Sequence, residues 1–240
     1  MSKPDMKRFY RDVTIGPAED GTEADGPFRV LLDGRQVKSP MGRVLAVPSQ
    51  QLAEAMAAEW EAQSEKILPA TMPMTQLSFT AIDRIAPERE EVAQRISRYG
   101  ETDLLCYRAE APSDLVHRQT DQWDPLLAWA DAQYGAVLTV TSGIIPVPQP
   151  EDALAALTNA VDAFDPYRLT ALAAVVQAAG SLVIGLALVE GRLNADQAVA
   201  VSQLDDAYQS EKWGQDKEAL DRLKALQAEI TQAEHFLGLL

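Results

Sequence analysis

The dipeptide Asp33-Gly34 constrains this chain most. Phe28-Arg29-Val30-Leu31-Leu32 precedes it and Gln36-Val37-Lys38 follows, so two short apolar-rich runs meet at residues that tolerate positive φ. A two-residue primed turn needs that conformation at both central positions, and the strands it joins are antiparallel. An all-helical chain is thereby excluded. Upstream, Phe9, Arg11, Val13 and Ile15 alternate with Tyr10, Asp12 and Thr14, as in a half-buried strand, and a Gly/Pro/acid loop from Gly16 to Pro27 connects the two. Pro40-Met41-Gly42 turns the chain again before Val44 to Val47, so the opening reads as an antiparallel meander.

Helices should cover that meander. Ser49 is placed to cap a helix through Gln63 in which Leu52, Met56 and Trp60 recur at helical spacing. Two more, Thr75 to Ile85 and Glu88 to Tyr99, are separated by Pro87, with Gly100 as the expected C-cap. Leu104-Leu105-Cys106-Tyr107 suits a buried strand or a packed linker. From Glu110 to Ser113 the composition shifts to alanine, leucine and other helix formers. The fold class expected is α+β: a small antiparallel β-meander domain with helices at 1–110, then a mostly helical domain at 111–240. In the latter, Ser113 and Asp124 read as caps, Pro125 as a first helical residue and Gly135 as a stop. Ala136 to Ile145 is β-like, and Pro146, Pro148 and Pro150 make a stiff connector. Asp165-Pro166 and Asn194 start helices and Gly191 ends one, while Leu220, Leu223, Leu226, Ile230, Ala233 and Leu237 stripe the last helix.

Charge and cysteine usage narrow the function classes. A formal charge of -15 and a pI near 4.5 argue against nucleic acid and against an anionic membrane surface, both of which require basic patches. Cys106 is the single cysteine, which excludes an internal disulfide or Cys-x-x-Cys site, and His117 and His235 are the only imidazoles. The N-terminal Met1 to Arg8 has no apolar h-region, so no signal or transit peptide is read there. Leu172 to Val189 is long and apolar, but Gln177 and Ser181 sit within it; it reads as a buried central helix, with Gly180 and Gly185 allowing close crossings. Gly180 to Gly185 lacks the Lys-Ser or Lys-Thr of a phosphate loop.

The stretch from Val199 to Asp216 combines a stripe with an unusual ending. Asn194, with Gln197 three positions on, starts a helix that carries Val201, Leu204 and Tyr208 on one face. Glu211 continues that face. A carboxylate there is shielded by a partner, raised in pKa, or placed to meet something outside the chain. Trp213 and Gly214 close the helix, and an exposed tryptophan beside a fixed acid is common at binding hot spots.

Gln209 to Asp216 resembles the C-terminal signature of the assembly chaperones for the alpha subunit of the F-type ATP synthase catalytic head. Similar to the same family are Leu32 to Pro40, Ala58-Glu59-Trp60, Met72 to Leu77, Asp103 to Tyr107, Trp123 to Leu127 and Gly180 to Val183. The resemblance runs from about Phe9 to near the C-terminus, and the order of the segments gives it its specificity. It implies a non-enzymatic chaperone that binds the unassembled alpha subunit, shields the interface the beta subunit later takes, and promotes assembly without ATP hydrolysis, cofactor or metal. It further implies a cytoplasmic location in a bacterium, a mitochondrial matrix location for eukaryotic relatives, and a functionally sensitive acid at Glu211. The expected partner-binding residues are Glu211, Trp213, Tyr208, Leu204 and Asp205, on a monomer that is not embedded in a membrane.

Other readings remain beside it. Asp205 and Glu211 could serve a carboxylate-dependent hydrolase, although Asp205 and Asp206 point about 100° apart on a helix and Glu211 lies a turn beyond. Asp206 reads as a solvated charge. An acidic adaptor for another protein needs the same kind of surface as a chaperone. Met72-Pro73-Met74 is either an adaptable binding edge or core filling. Trp60, Trp123 and Trp129 read as core, Trp213 as surface-facing, and His117 as a surface residue.

Overall fold

The computed structural model describes residues 6–17, 26–143, 145–214 and 216–240. Most of the expected Gly16–Pro27 loop and the first residues of the N-terminus lie outside them. Two compact units are formed. One takes the chain as far as Arg89 together with Pro166–Thr170 and His235–Leu240; the other takes Glu90–Asp165 and Ala171–Glu234. The composition change at 110–113, which suggests a boundary in the sequence, falls inside the second unit. Composition reports helix content, whereas a unit is defined by which segments touch.

The first unit holds β1 (Met6–Lys7), β2 (Val13–Pro17), β3 (Phe28–Leu32), β4 (Arg35–Gln36), β5 (Ala46–Val47), α1 (Gln50–Glu61), β6 (Lys66–Ile67) and α2 (Pro73–Thr80). β3 is central: β2 pairs with it from Val13↔Leu32 to Pro17↔Phe28, and β4 and β5 share its other edge, all antiparallel. Asp33 and Gly34 have φ of 48° and 77°, the primed turn that the dipeptide requires. β1 pairs with β6, a contact that neither two-residue run announces.

The first strand keeps the expected phase at Val13, Thr14 and Ile15 but is shorter than its alternation suggests, and residues 9 and 10 depart from it. Tyr10 is buried and Phe9 is 66% exposed, because the Tyr10 hydroxyl donates to the Trp60 carbonyl at 2.6 Å while residues 9–12 precede the paired ladder. α1 follows expectation: the Ser49 hydroxyl accepts from the Leu52 N–H at 3.0 Å, and Leu52, Met56 and Trp60 are buried. Glu59 then caps α2, taking the Met74 and Thr75 N–H groups at 2.7 and 2.8 Å; burial raises its pKa against those two donors. Met72 and Met74 are 1% and 3% exposed, which makes this segment core filling rather than a binding edge. The helix expected from Thr75 to Ile85 begins earlier, at Pro73, and passes into a π-helical turn at Ala81–Ile85.

The second unit is helical. It contains most of α3 (Arg89–Ser97), 3-10 turns at Arg98–Thr102 and Leu104–Cys106, β7 (Tyr107–Arg108), α4 (Ser113–Tyr134), β8 (Thr141–Ser142) and α5 (Glu151–Asp162). α6 (Pro166–Ala179), α7 (Leu182–Val189), α8 (Ala195–Ser202), α9 (Leu204–Trp213) and α10 (Lys217–Gly238) complete the chain. The β-like stretch from Ala136 shrinks to β8, paired in parallel with β7. Leu105 and Cys106 are buried in the 3-10 turn, where desolvation pushes the Cys106 thiol up to about 12.

Several boundaries move for identifiable reasons. Asp124 and Pro125 lie inside the single helix α4: Asp124 accepts from Arg108 Nη2 at 2.7 Å instead of capping, and the proline removes one interior N–H. Gly135 ends α4 at φ 72°, as expected. Gly100 is not a left-handed cap; a Cβ there would sit 3.2 Å from Leu157 Cδ1, so packing of the turn on α5 explains the glycine. Trp129 is half-buried, edge-on to Tyr134, whereas Trp60 and Trp123 are core. Leu172 to Val189 forms two helices rather than one. Gly180 turns the chain at φ 69° and the Ser181 hydroxyl caps α7 at 3.0 Å. No helix among the described residues is long and apolar enough to cross a membrane.

Gly185 does allow a close crossing, because its Cβ would meet Val176 Cγ2 at 2.4 Å and Leu172 Cδ1 at 3.0 Å. Gly185→Ala should therefore destabilise: overpacking costs about 1–3 kcal/mol, more than the ~1 kcal/mol of helix propensity regained. Urea unfolding checks this, and Gly185→Ala combined with Val176→Ala should be more stable than the sum of the two single changes.

Candidate protein-binding surface

The stripe from Ala195 onward breaks once. Asn194 and Gln197 form the full capping box of α8, with the Asn194 side chain accepting from the Gln197 N–H at 2.8 Å. At Gln203 (φ -105°, ψ 19°) the helix stops and α9 begins. The Val201 carbonyl accepts from the indole N–H of Trp123 at 3.0 Å, so α4 takes a backbone group near the break.

α4 fastens both helices through side chains at successive turns. Buried Gln119 donates from Nε2 to Asp205 Oδ1 at 2.8 Å while its carbonyl oxygen accepts from the Ala109 N–H at 2.8 Å. Arg118 grips Glu211 with both terminal nitrogens, each at 2.9 Å from a different carboxylate oxygen. The Tyr208 hydroxyl donates to Asp114 Oδ1 at 2.8 Å, and Lys212 Nζ lies 3.4 Å from Asp114 Oδ2. Arg118 and Lys212 both lie over the Tyr208 ring, at 5.2 and 5.1 Å from its centroid.

The electrostatics follow from these contacts. The Arg118 guanidinium holds the Glu211 carboxyl below its usual value, and the Tyr208 hydroxyl does the same for Asp114. Burial, reinforced by the bond to Asp114, raises the Tyr208 phenol. Of the sequence alternatives for Glu211, a raised pKa is overturned: the acid stays exposed and is paired within the chain to Arg118.

The expected site residues thus separate. Leu204 and Tyr208 are each 4% exposed and hold α9 in place, so neither offers a contact face. Asp205 is half-buried on Gln119, Asp206 is solvated, and Glu211 is exposed beside Arg118. Trp213 is 78% exposed at the last turn of α9. Gly214 follows at φ 84° and ψ 170°, a region open almost only to glycine, and redirects the chain toward α10. The stripe on α10 is covered unevenly: Ile230 and Ala233 are buried, whereas Leu220, Leu223 and Leu226 are half-exposed. Between α9 and α10 lies a groove of about 620 Å³ lined by Ala207, Trp213, Ala219, Leu223 and Leu226, with Asp206 and Arg222 also on its wall. Among the described residues, no three His, Cys, Asp or Glu side chains gather to hold a metal ion.

Asp114, Arg118 and Gln119 are not singled out by the sequence. Asp114 and Arg118 are four apart on α4, which reads as an ordinary solvent-facing pair, and their partners lie about ninety residues away.

The sequence matches the profile of the ATP12 chaperone protein family over residues 7–131. It is 26% identical over 226 residues to the mitochondrial protein atp12 of Schizosaccharomyces pombe, covering 89% of this chain and 76% of that one. The fold superposes on the crystal structure of Atp12 from Paracoccus denitrificans with a TM-score of 0.92, at 41% identity and 98% coverage of both chains. The Atu1473 protein of Agrobacterium tumefaciens superposes with a TM-score of 0.90 at 39% identity, covering 99% of this chain and 87% of that one.

The lowered Glu211 acid gives a titration test. Its ion pair with Arg118 is intact above the ordinary glutamate value of 4.5 and is lost as pH falls through the lowered one. NMR titration of the Glu211 side-chain carboxyl should find its midpoint below 4.5 in the wild type, moving upward in Arg118→Gln.

Proposed function

The chain belongs to the ATP12 chaperone family, and from that premise we propose that it is an assembly chaperone for the F-type ATP synthase. Its client in this reading is the unassembled alpha subunit of the catalytic head, whose beta-facing apolar surface it covers without hydrolysing ATP. The observation that carries the reading is Trp213, 78% exposed on a fastened helix end beside the α9–α10 groove. An indole projecting next to half-exposed leucines is the composition of a binding hot spot, and the half-covered stripe of α10 offers an apolar floor for a client segment. Mass action supplies the protective effect: a held interface lowers the free concentration of the aggregation-prone subunit until its proper neighbour displaces the chaperone. The acidic surface favours rapid encounter.

Two rivals can be weighed. A carboxylate hydrolase needs a raised glutamate, but Arg118 lowers Glu211, and Asp205 is engaged separately by Gln119. An acidic adaptor for a different protein would use the same surface, so only the partner separates it from the chaperone.

The test is co-purification with unassembled alpha subunit. Wild type should capture it in soluble form, and Trp213→Ser should weaken capture by about tenfold or more, the scale of a hot-spot residue, with an unchanged melting temperature. A folded wild-type protein that captures no alpha subunit would point to the adaptor reading.

A further inference from the structure

We propose that Arg118 is a positioning residue: with Asp114 it latches the last turn of α9 onto α4, so that Glu211 acts by fixing Trp213 at the groove rather than by touching the client. The consequence for client capture rests on the chaperone reading above; the latch itself does not.

The geometry is specific. Glu211 has both carboxylate oxygens engaged by one guanidinium, at 2.9 Å each, and an acid held in that fork has little left to offer a second partner. Tyr208, one turn earlier on α9, is buried with its hydroxyl on Asp114 and with Arg118 over its ring. Lys212 closes the set by lying over the same ring and near Asp114. These contacts converge on residues 208–212, little more than one helical turn, immediately before Trp213. Beyond Trp213, Gly214 provides no side chain to hold the corner, and nothing lies within 4 Å of where its Cβ would be. The direction of the indole is therefore set from the α9 side.

An isolated surface pair would be too weak for this task. Here the fork, the two cations over the ring and the tyrosine–aspartate bond share members, and a bidentate network is the case in which surface charges do impose geometry. The network should govern local opening of the last α9 turn much more than global unfolding, since Arg118 and Glu211 side chains are 43% and 53% exposed.

The test uses the full chain with Arg118→Glu, and with the exchanged pair Arg118→Glu/Glu211→Arg. Amide hydrogen exchange of residues 209–214 reads the latch, and co-purification with alpha subunit reads its consequence. Arg118→Glu should speed exchange severalfold and weaken capture severalfold while the melting temperature barely moves. The exchanged pair should recover both toward wild type. Unchanged exchange in Arg118→Glu would overturn the latch. Recovery of exchange without recovery of capture would overturn the positioning role and make Glu211 a contact residue. If wild type captures no alpha subunit, the chaperone reading fails, and the latch is decided by the exchange data alone.

Discussion

The helical unit depends on one carboxylate that solvent never reaches. Asp103 is fully buried and accepts from the Ser181 hydroxyl at 2.7 Å, the Val183 N–H at 3.0 Å and the Leu105 N–H at 3.1 Å. All of α7 is apolar and buried, so its first N–H groups have no water and no polar side chain of their own helix to turn to. Each would cost about 1–3 kcal/mol unmet. Ser181 and Asp103 meet them in sequence, the serine at Ile184 and the aspartate at Val183. Burial raises the Asp103 pKa while its donors pull the other way. The same residue caps the 3-10 turn at Leu104–Cys106, so one side chain fixes both the turn and the α6–α7 corner.

From that corner the order passes outward through packing. α7 lies against α4 and α8, and its Gly185 lets the α6 side chains approach without a gap. α4 is then the element that turns core order into surface order. Its residues 114, 118, 119 and 123 meet residues 208 and 212, 211, 205 and 201 respectively, in reverse order along α8 and α9. A helix that supplies both Trp123 to the core and Arg118 to the surface transmits position without having to move.

Local chemistry was readable in the sequence wherever a feature is decided within a few residues. The Asp33-Gly34 turn, the Ser49 cap, the Asn194/Gln197 capping box and the Gly135 stop all depend on neighbours in the chain. The α+β class and the exposed Trp213 were legible for the same reason. What the sequence hid is decided by distant partners. Asp124 resembles a cap until Arg108 claims it, Leu204 and Tyr208 resemble a contact edge until α4 covers them, and the stripe from Val201 to Glu211 conceals the break at Gln203. Apart from its place in a family-like segment, Asp103 gave no sign: a lone aspartate before three apolar residues carries no periodicity, and its Ser181 and Val183 donors lie some eighty positions on.

A chaperone surface has to be fixed and yet easily vacated. A deep apolar pocket would satisfy the first demand and defeat the second, because tight burial slows release. In the chaperone reading proposed above, the α9–α10 groove would meet both in a different way. Its floor is half-exposed leucine with two small alanines, so it presents little apolar area, while the projecting indole beside it is held by charges on the far side of its own helix. On that reading, binding would draw on one well-placed aromatic rather than on area, and a neighbour that buries more of the client's surface would displace it.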